Sequence, residues 1–432
     1  MHASAWHALG DPVAANIMSQ GFDLDFAVQP TLSYDPPLNA VTSDENAELI
    51  LPFIPDWLKR GVVREIFKKT KLFYSRMFSV PKPEKEIRPI IDLSILNRML
   101  RIPSFTMTTV DKIAPVLPEG LWAITIDIKD AYFHVAMAWW THKYLAFKLR
   151  NRVFVFQMLP FGLSPAPWAF SRVMKPIRKT LSLDEILSHY YLDDWILFGS
   201  SVEETNRHGK VFLDLLLRLG LQVNWKKSKL TPSRSLEYLG VWLDLERMEV
   251  SLPPSKQLKL LEDVKHLRRM SSTSRRQLEG LTGFLNFAAP LVPLGRSLLY
   301  PVIRWMNCFT TPEFRDLKVP ITQDLRDVLT PWLDTSLIQA SVPMRLPEAE
   351  VELMTDASGT GWSGVLLPRR VEGKWSPREA LHPITWKELK AVQLSLLHFV
   401  SDLEEKVVRV YSDSSTVGHA SGNNGRWLPQ IF

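Results

Sequence analysis

The string Tyr190-Tyr191-Leu192-Asp193-Asp194-Trp195-Ile196-Leu197-Phe198 sets two adjacent carboxylates between apolar, aromatic-rich flanks of strand character. Successive residues of a regular strand point to opposite faces, so tandem acids on one strand cannot both meet one ion. At a hairpin turn the chain reverses and both side chains can crowd one site. An ordinary Asp-containing turn would leave the same string. A third acid, Asp127, ends the apolar run LWAITIDI, and Asp130 follows where a helix is expected to begin. Asp130 also reads as a cap for that helix. Asp127, Asp193 and Asp194 make a three-carboxylate set suited to magnesium, which takes oxygen ligands and favours carboxylates plus substrate phosphates. Two such ions about 3.5–4 Å apart can activate an attacking 3′-hydroxyl and stabilise a leaving pyrophosphate, which is nucleotidyl transfer.

These acids need a frame, and the chain supplies strands and helices without regular βαβ repetition, which predicts an α+β fold. Residues 1–50 are acidic, carry Pro30, Pro36 and Pro37 and show weak periodicity, so they read as a loosely ordered extension. Residues 53–66 place apolar side chains at helical spacing, closed by Gly61. Strand-type segments follow (RMFSV, RPIIDL, LWAITIDI, KYLAFKL, RVFVFQML), with helical stretches expected at 129–138, 164–180 and 203–219. Residues 255–300 read as helices rich in Lys and Arg, then a proline-punctuated stretch leads to a new pattern. There VELMTDASGTGWSGVLL is strand, turn, strand, TWKELKAVQLSLLHFV is an amphipathic helix, and VVRVYSDSS is a strand. This unit has its own acids: Asp356 at a strand end, Glu388 on the helix and Asp413 on the next strand. Thr385-Trp386-Lys387-Glu388 also fits a capping box, with Glu388 reaching back to the helix start.

Composition narrows the class. The 432 residues are 46% apolar and 23% charged, the balance of a folded globular protein, and the length suggests two to four domains. A single cysteine, Cys308, excludes a disulfide scaffold and any Cys-built metal cluster. No apolar run of about 18 residues occurs and the first residues lack a secretory pattern. An intracellular protein, cytoplasmic or nuclear, not secreted and without a membrane partner, is expected. The net charge of +6 is unevenly spread: residues 1–58 hold eight acidic residues and no Lys or Arg, whereas residues 59–101 hold twelve basic and four acidic ones. A compact basic block suits phosphate binding, although a solvated basic face has the same composition. The ten histidines form no H-E-x-x-H, and neither a G-x-x-x-x-G-K-[ST] loop nor a G-x-S-x-G elbow is present.

From about residue 50 to the end the chain resembles retroelement reverse transcriptases. TIDIKDAYFHV is similar to their first catalytic motif, LPFGLSPAPWAF to the template- and nucleotide-facing motif, and YLDDWILFG to the Y-x-D-D hairpin. GLQVNWKKSKL resembles the following Lys-bearing segment, LEYLG the primer grip, and FSVPKPEKEIRPIIDLSILNRML the fingers. The wording, including LVPLGRSLL, is most similar to DIRS-like elements that use a tyrosine recombinase, with gypsy-like elements second. The resemblance implies metal-ligand roles for Asp127, Asp193 and Asp194, and triphosphate contacts for Lys82 and Arg88. It implies that Asp130, Ala131, Phe161 and Gly162 help form the nucleotide site, and that Tyr132 is an aromatic gate against a ribose 2′-hydroxyl. Lys227 or Lys229 would assist the leaving pyrophosphate.

The implied architecture is a right hand of fingers and palm (51–250), a helical thumb and connection (251–345) and a ribonuclease H-like α/β domain (346–432). Asp356, Glu388 and Asp413 would hold metal there, but GHASGNNGRWLPQIF contains no fourth acid, so the domain is expected to be truncated. The expected function is RNA- and DNA-directed DNA synthesis with two Mg2+ per polymerase site, Mn2+ able to substitute. Primed RNA or DNA template and dNTPs would be the partners, and an element-encoded recombinase or structural protein a further one. The alternative is a silent or host-recruited remnant that binds nucleic acid or a protein. A lone metal-dependent nuclease ranks third.

Overall fold

The computed structural model describes residues 2–81, 87–307, 315–345 and 347–412. Helices and strands interleave irregularly, as α+β requires. The chain divides into two units: residues 1–109 with 118–239, and residues 110–117 with 240–432. The expected border at 250 moves back because strand Val241–Asp244 pairs with Glu249–Ser251, which pairs in turn with Val342–Pro343 in the second unit.

In the first unit β1 (Val63–Ile66), β2 (Met77–Pro81), β3 (Ile87–Ile91), β4 (Trp122–Asp127), β5 (Ala146–Leu149), β6 (Arg152–Phe156), β7 (Ser188–Tyr191), β8 (Asp194–Gly199) and β9 (Lys229–Ser233) form three sheets. Their orders are β1-β6-β5, β2-β3 and β7-β8-β4-β9. The last is central. β4 is apolar on both faces, with Ala123, Ile124 and Ile126 all buried, as a strand enclosed on both sides must be. Helix Ala166–Leu183 buries Ala166, Ala169, Phe170, Val173, Met174, Ile177 and Leu181, a helical stripe that packs into the same core. Helix Val202–Leu219 starts where Ser201 Oγ accepts the Glu204 N–H and stops at Gly220, whose φ of 75° suits a glycine.

Two expectations are overturned. The helix expected at 129–138 is only a short 3-10 turn, Ala131–His134. Asp130 sits in the left-handed region at φ 50°, and Met137 N–H goes to Gln157 O across the chain, so no helical ladder can continue. Residues 1–50 are not loosely ordered: Ala3–Ala8, Pro12–Gln20 and Asp44–Ile50 are helices. Trp6 is 2% exposed and its indole N–H donates to Leu219 O at 3.1 Å. Several of the acids that made the segment look unfoldable are partnered, Asp11 with Arg172 at 2.7 Å, Asp25 with Arg101 and Glu48 with Arg150. Composition averaged these sparse apolar anchors away.

In the second unit helices Pro254–Arg269, Arg275–Ala288 and Gly295–Met306 precede a four-stranded sheet. Its order is Arg369–Lys374, Gly361–Leu366, Val351–Ala357, Val408–Tyr411, with only the last pair parallel. Helix Ile384–His398 packs on this sheet, where Ala391 shares a cluster with Ala357 and Trp375.

Candidate active site

Backbone pairing brings Asp127, Asp193 and Asp194 together. β4 and β8 are adjacent and antiparallel, with Trp122 opposite Gly199 at one end and Asp127 opposite Asp194 at the other. Directly opposed residues in such a ladder have Cβ atoms about 4.5–5.5 Å apart. β7 pairs with β8 up to Tyr191 opposite Asp194, which leaves Leu192 and Asp193 as a two-residue turn. Leu192 takes φ 56°, a left-handed conformation that costs a branched residue energy and persists only where its surroundings hold it. Ile128 N–H donates to Asp193 O at 3.0 Å and ties the turn to the end of β4.

Asp127 is anchored by a ring of bonds. Its N–H donates to Ser228 Oγ at 3.0 Å, Ser228 Oγ donates to Asn224 O at 2.8 Å, and Asn224 N–H donates back to Asp127 O at 2.8 Å. Lys227 Nζ lies 3.6 Å from Asp127 Oδ2, whereas Lys229 is exposed on β9. Of the two lysines, the geometry therefore brings Lys227 to the acids. Burial and the Asp127 charge raise the Asp193 carboxyl, opposed by Lys227 and Arg88. Asp194 keeps an exposed face, yet desolvation first, then the Asp193 and Asp127 charges, push it up to about 6. Carboxylates crowded this way repel one another, and a hard cation would relieve the repulsion. Magnesium takes one or two carboxylates and fills its shell from water and phosphate. The donor set fits such an ion although no three acidic, imidazole or thiol groups close on one point among the described residues.

Around the acids, Tyr132 packs against Phe161 and Phe170 at ring separations of 5.1 and 5.8 Å. Burial and the neighbouring Asp193 raise its hydroxyl to about 12, so it stays protonated. Ala131 is buried. Gly162 has φ 96°, and a Cβ there would stand 2.8 Å from Ile91 O. Arg88 is exposed on β3, where its charge reaches Asp193. Asp130 does not cap a helix: its carboxylate pairs with Arg60 at 2.8 Å and makes no capping bond. Lys82 and Asp413 lie outside the described residues.

Several contributors escape motif reading. Asn97 clips the loop after Phe161, its Nδ2 donating to Gly162 O and its Oδ1 accepting Ser164 N–H, both at 2.9 Å. Tyr238, 3% exposed, donates its hydroxyl hydrogen to Asp194 O at 3.1 Å. The same hydroxyl oxygen then accepts from His189 Nδ1, also at 3.1 Å. Burial depresses His189 to about 4, with Arg178 adding to the effect, so the ring is neutral near pH 7. LEYLG pointed to this strand but gave no hint of the hydroxyl's partner.

The acids of the second unit are arranged differently. Asp356 is exposed opposite Ser363, on the face away from buried Leu353, Thr355 and Ala357. Glu388 is 4% exposed, with Ser412 Oγ 3.4 Å from its Oε2. The capping-box reading of Glu388 is corrected: Pro383 precedes the helix, Thr385 lies inside it, and no side chain caps the start.

Residues 80–243 match the family model described as reverse transcriptase (RNA-dependent DNA polymerase). The chain is 24% identical over 84% of its length to a putative enzymatic polyprotein of Cassava vein mosaic virus, of which it covers 56%. It is 24% identical over 88% of its length to the retrovirus-related Pol polyprotein from transposon opus of Drosophila melanogaster, covering 39% of that protein. The chain thus spans between about two fifths and just over half of these relatives. Its fold matches a foamy viral protease-reverse transcriptase solved with double-stranded DNA, at TM-score 0.61 and 17% identity, covering 94% of this chain and 70% of the other. The fold is the right-hand polymerase fold. No helix among the described residues is long and apolar enough to cross a membrane.

Proposed function

We propose, from the reverse transcriptase domain that residues 80–243 carry, that this chain is the RNA- and DNA-directed DNA polymerase part of a retroelement polyprotein. The observation that carries the reading is the register of β4 on β8, which sets Asp127 opposite Asp194 with Asp193 on the adjoining turn. Magnesium bound there would supply Lewis-acid stabilisation of the reacting phosphate and a more acidic primer hydroxyl. Asp127, Asp193 and Asp194 hold that charge in place, and the Ser228–Asn224 ring keeps Asp127 from drifting. Lys227 and Arg88 put positive charge where a triphosphate would lie, and Tyr132 gives a rigid wall against a 2′-hydroxyl. Asn97 fixes the loop of Phe161 and Gly162 on which base and template would rest.

The basic block of residues 59–101 would bind template phosphates without reading sequence. On this reading residues 51–250 act as fingers and palm and residues 251–345 as thumb and connection. Residues 346–432 act as a ribonuclease H-like domain whose acids Asp356, Glu388 and Asp413 take magnesium. LVPLGRSLL supports a DIRS-like element, with a recombinase as partner, over a gypsy-like one. Primer extension on an RNA template with dNTPs and magnesium or manganese tests the central claim. DNA synthesis by the wild type and none by Asp193→Asn is expected. No synthesis by folded protein that binds primer–template would leave a binding remnant instead.

A further inference from the structure

His134 belongs to none of the motif roles above, yet it holds the turn that carries Tyr132. Its Nε2 lies 3.0 Å from Gln222 N and its Nδ1 lies 3.3 Å from Ala131 O. A backbone N–H can only donate and a carbonyl can only accept, so the proton must sit on Nδ1 and the lone pair on Nε2. Both bonds exist together only in this neutral tautomer. Burial lowers the ring's proton affinity, which keeps it neutral near pH 7. Gln222 O in turn accepts Lys129 N–H at 2.8 Å, so both backbone groups of Gln222 are taken by the loop that runs from Asp127 to His134. At the front of the same turn Arg60 holds the Asp130 carboxylate. The turn is therefore fixed to the rail of residues 222–224, which also holds Asp127 through Asn224.

We infer that His134 is a positioning residue for sugar discrimination: as the Nδ1–H tautomer it locks the Ala131–His134 turn to Gln222 and so fixes the Tyr132 ring against a ribose 2′-hydroxyl. The inference rests on the gate reading of Tyr132 given above. The physical argument is one of tolerance. A gate that tells hydrogen from hydroxyl works on differences of about an ångström, and misplacement on that scale costs up to about 100-fold in an enzymatic rate. Phe161 and Phe170 confine the ring from its sides, but neither sets the height of the backbone that bears it. His134 does.

The test compares single-nucleotide incorporation of a dNTP and the matching rNTP by the whole chain, as the ratio of their kcat/KM values. That ratio does not depend on the active fraction, so mere loss of stability leaves it unmoved. His134→Leu is expected to lower dNTP preference about tenfold with little change in primer–template Kd. His134→Gln, which can still accept the Gln222 N–H, is expected to recover most of it. Tyr132→Val is the reference and is expected to lower the ratio further. If Tyr132→Val lowers the ratio and the folded His134 variants do not, the inference fails and the gate stands. If Tyr132→Val leaves the ratio unchanged, or the wild type incorporates nothing, the gate reading fails and takes the inference with it. A second readout needs no activity: 15N NMR of the histidine rings, with His134 assigned by its loss in His134→Gln, should show the Nδ1-protonated tautomer. The Nε2-protonated form would overturn the proposal.

Discussion

In the first unit Asp127 and Asp194 are register partners of one antiparallel ladder, whereas in the second Asp356 and Glu388 belong to a strand and to the helix packed on its sheet. A ladder sets the separation of opposed residues through backbone hydrogen bonds alone, and it holds Asp127 and Asp194 close whatever their charges prefer. A helix on a sheet positions its acid through side-chain packing, and here it buries Glu388 while Asp356 stays exposed on the other face. The electrostatic consequence is visible. Asp194 is pushed up to about 6 by desolvation and its neighbouring carboxylates. Asp127, Asp193 and Asp194 are held close together before any ion arrives.

The largest effect that can test this contrast is loss of the ladder acid. Asp127→Asn should lower primer extension by about 1000-fold or more, while Glu388→Gln leaves it within a factor of about two. Comparable losses from both substitutions would break the separation of the two sites. Next comes Tyr238→Phe, which removes only the hydroxyl that holds Asp194 O and strands the buried Nδ1–H of His189. A cost of about 1–3 kcal/mol in chemical denaturation is expected, with a fall in kcat of about tenfold. An unchanged kcat would show that Asp194 needs no support beyond the ladder.

Gly162→Ala combines a left-handed backbone with a Cβ 2.8 Å from Ile91 O, and should cost about 1–2 kcal/mol by the same denaturation assay. The equivalent change at Gly359 of the second unit, where a Cβ meets nothing within 4 Å, should cost less than about 0.5 kcal/mol.

The smallest expected effect concerns pH. A carboxyl raised from 3.8 to about 6 binds more protons folded than unfolded between those values, so its ionisation subtracts stability as pH rises through that window. With a chelator present, Asp194→Asn should therefore raise Tm by roughly 2 °C at pH 7.5, and the gain should vanish below about pH 4. Asp356→Asn, a change at an exposed strand position, should move Tm by less than about 1 °C. Thermal melts at the two pH values decide it, and a gain for Asp356→Asn would erase the difference between the sites.

Much of this arrangement was legible in the residues. The aromatic-rich runs of β7 and β8 and the tandem acids between them pointed to a hairpin, whereas the strand–strand–helix–strand order expected of the C-terminal unit gains a third strand before its helix. Other features were not. Strand Arg369–Lys374 is polar and alternates weakly, and it is a strand only because Gly361–Leu366 offers it an edge. The N-terminal helices looked disordered because their few apolar anchors meet partners outside the segment, as Trp6 does at Leu219, 213 residues away.

The sequence by itself determined which side chains could do chemistry, and it placed Asp127 at a strand end and Glu388 on a helix, because carboxylate chemistry and strand or helix periodicity are local properties. Only the tertiary structure decided that Asp127 faces Asp194, that Lys227 rather than Lys229 reaches them, and that Tyr238 and His134 hold their surroundings. Register between strands 67 residues apart, and hydrogen bonds across such spans, are set by which surfaces bury together. No local pattern encodes that choice.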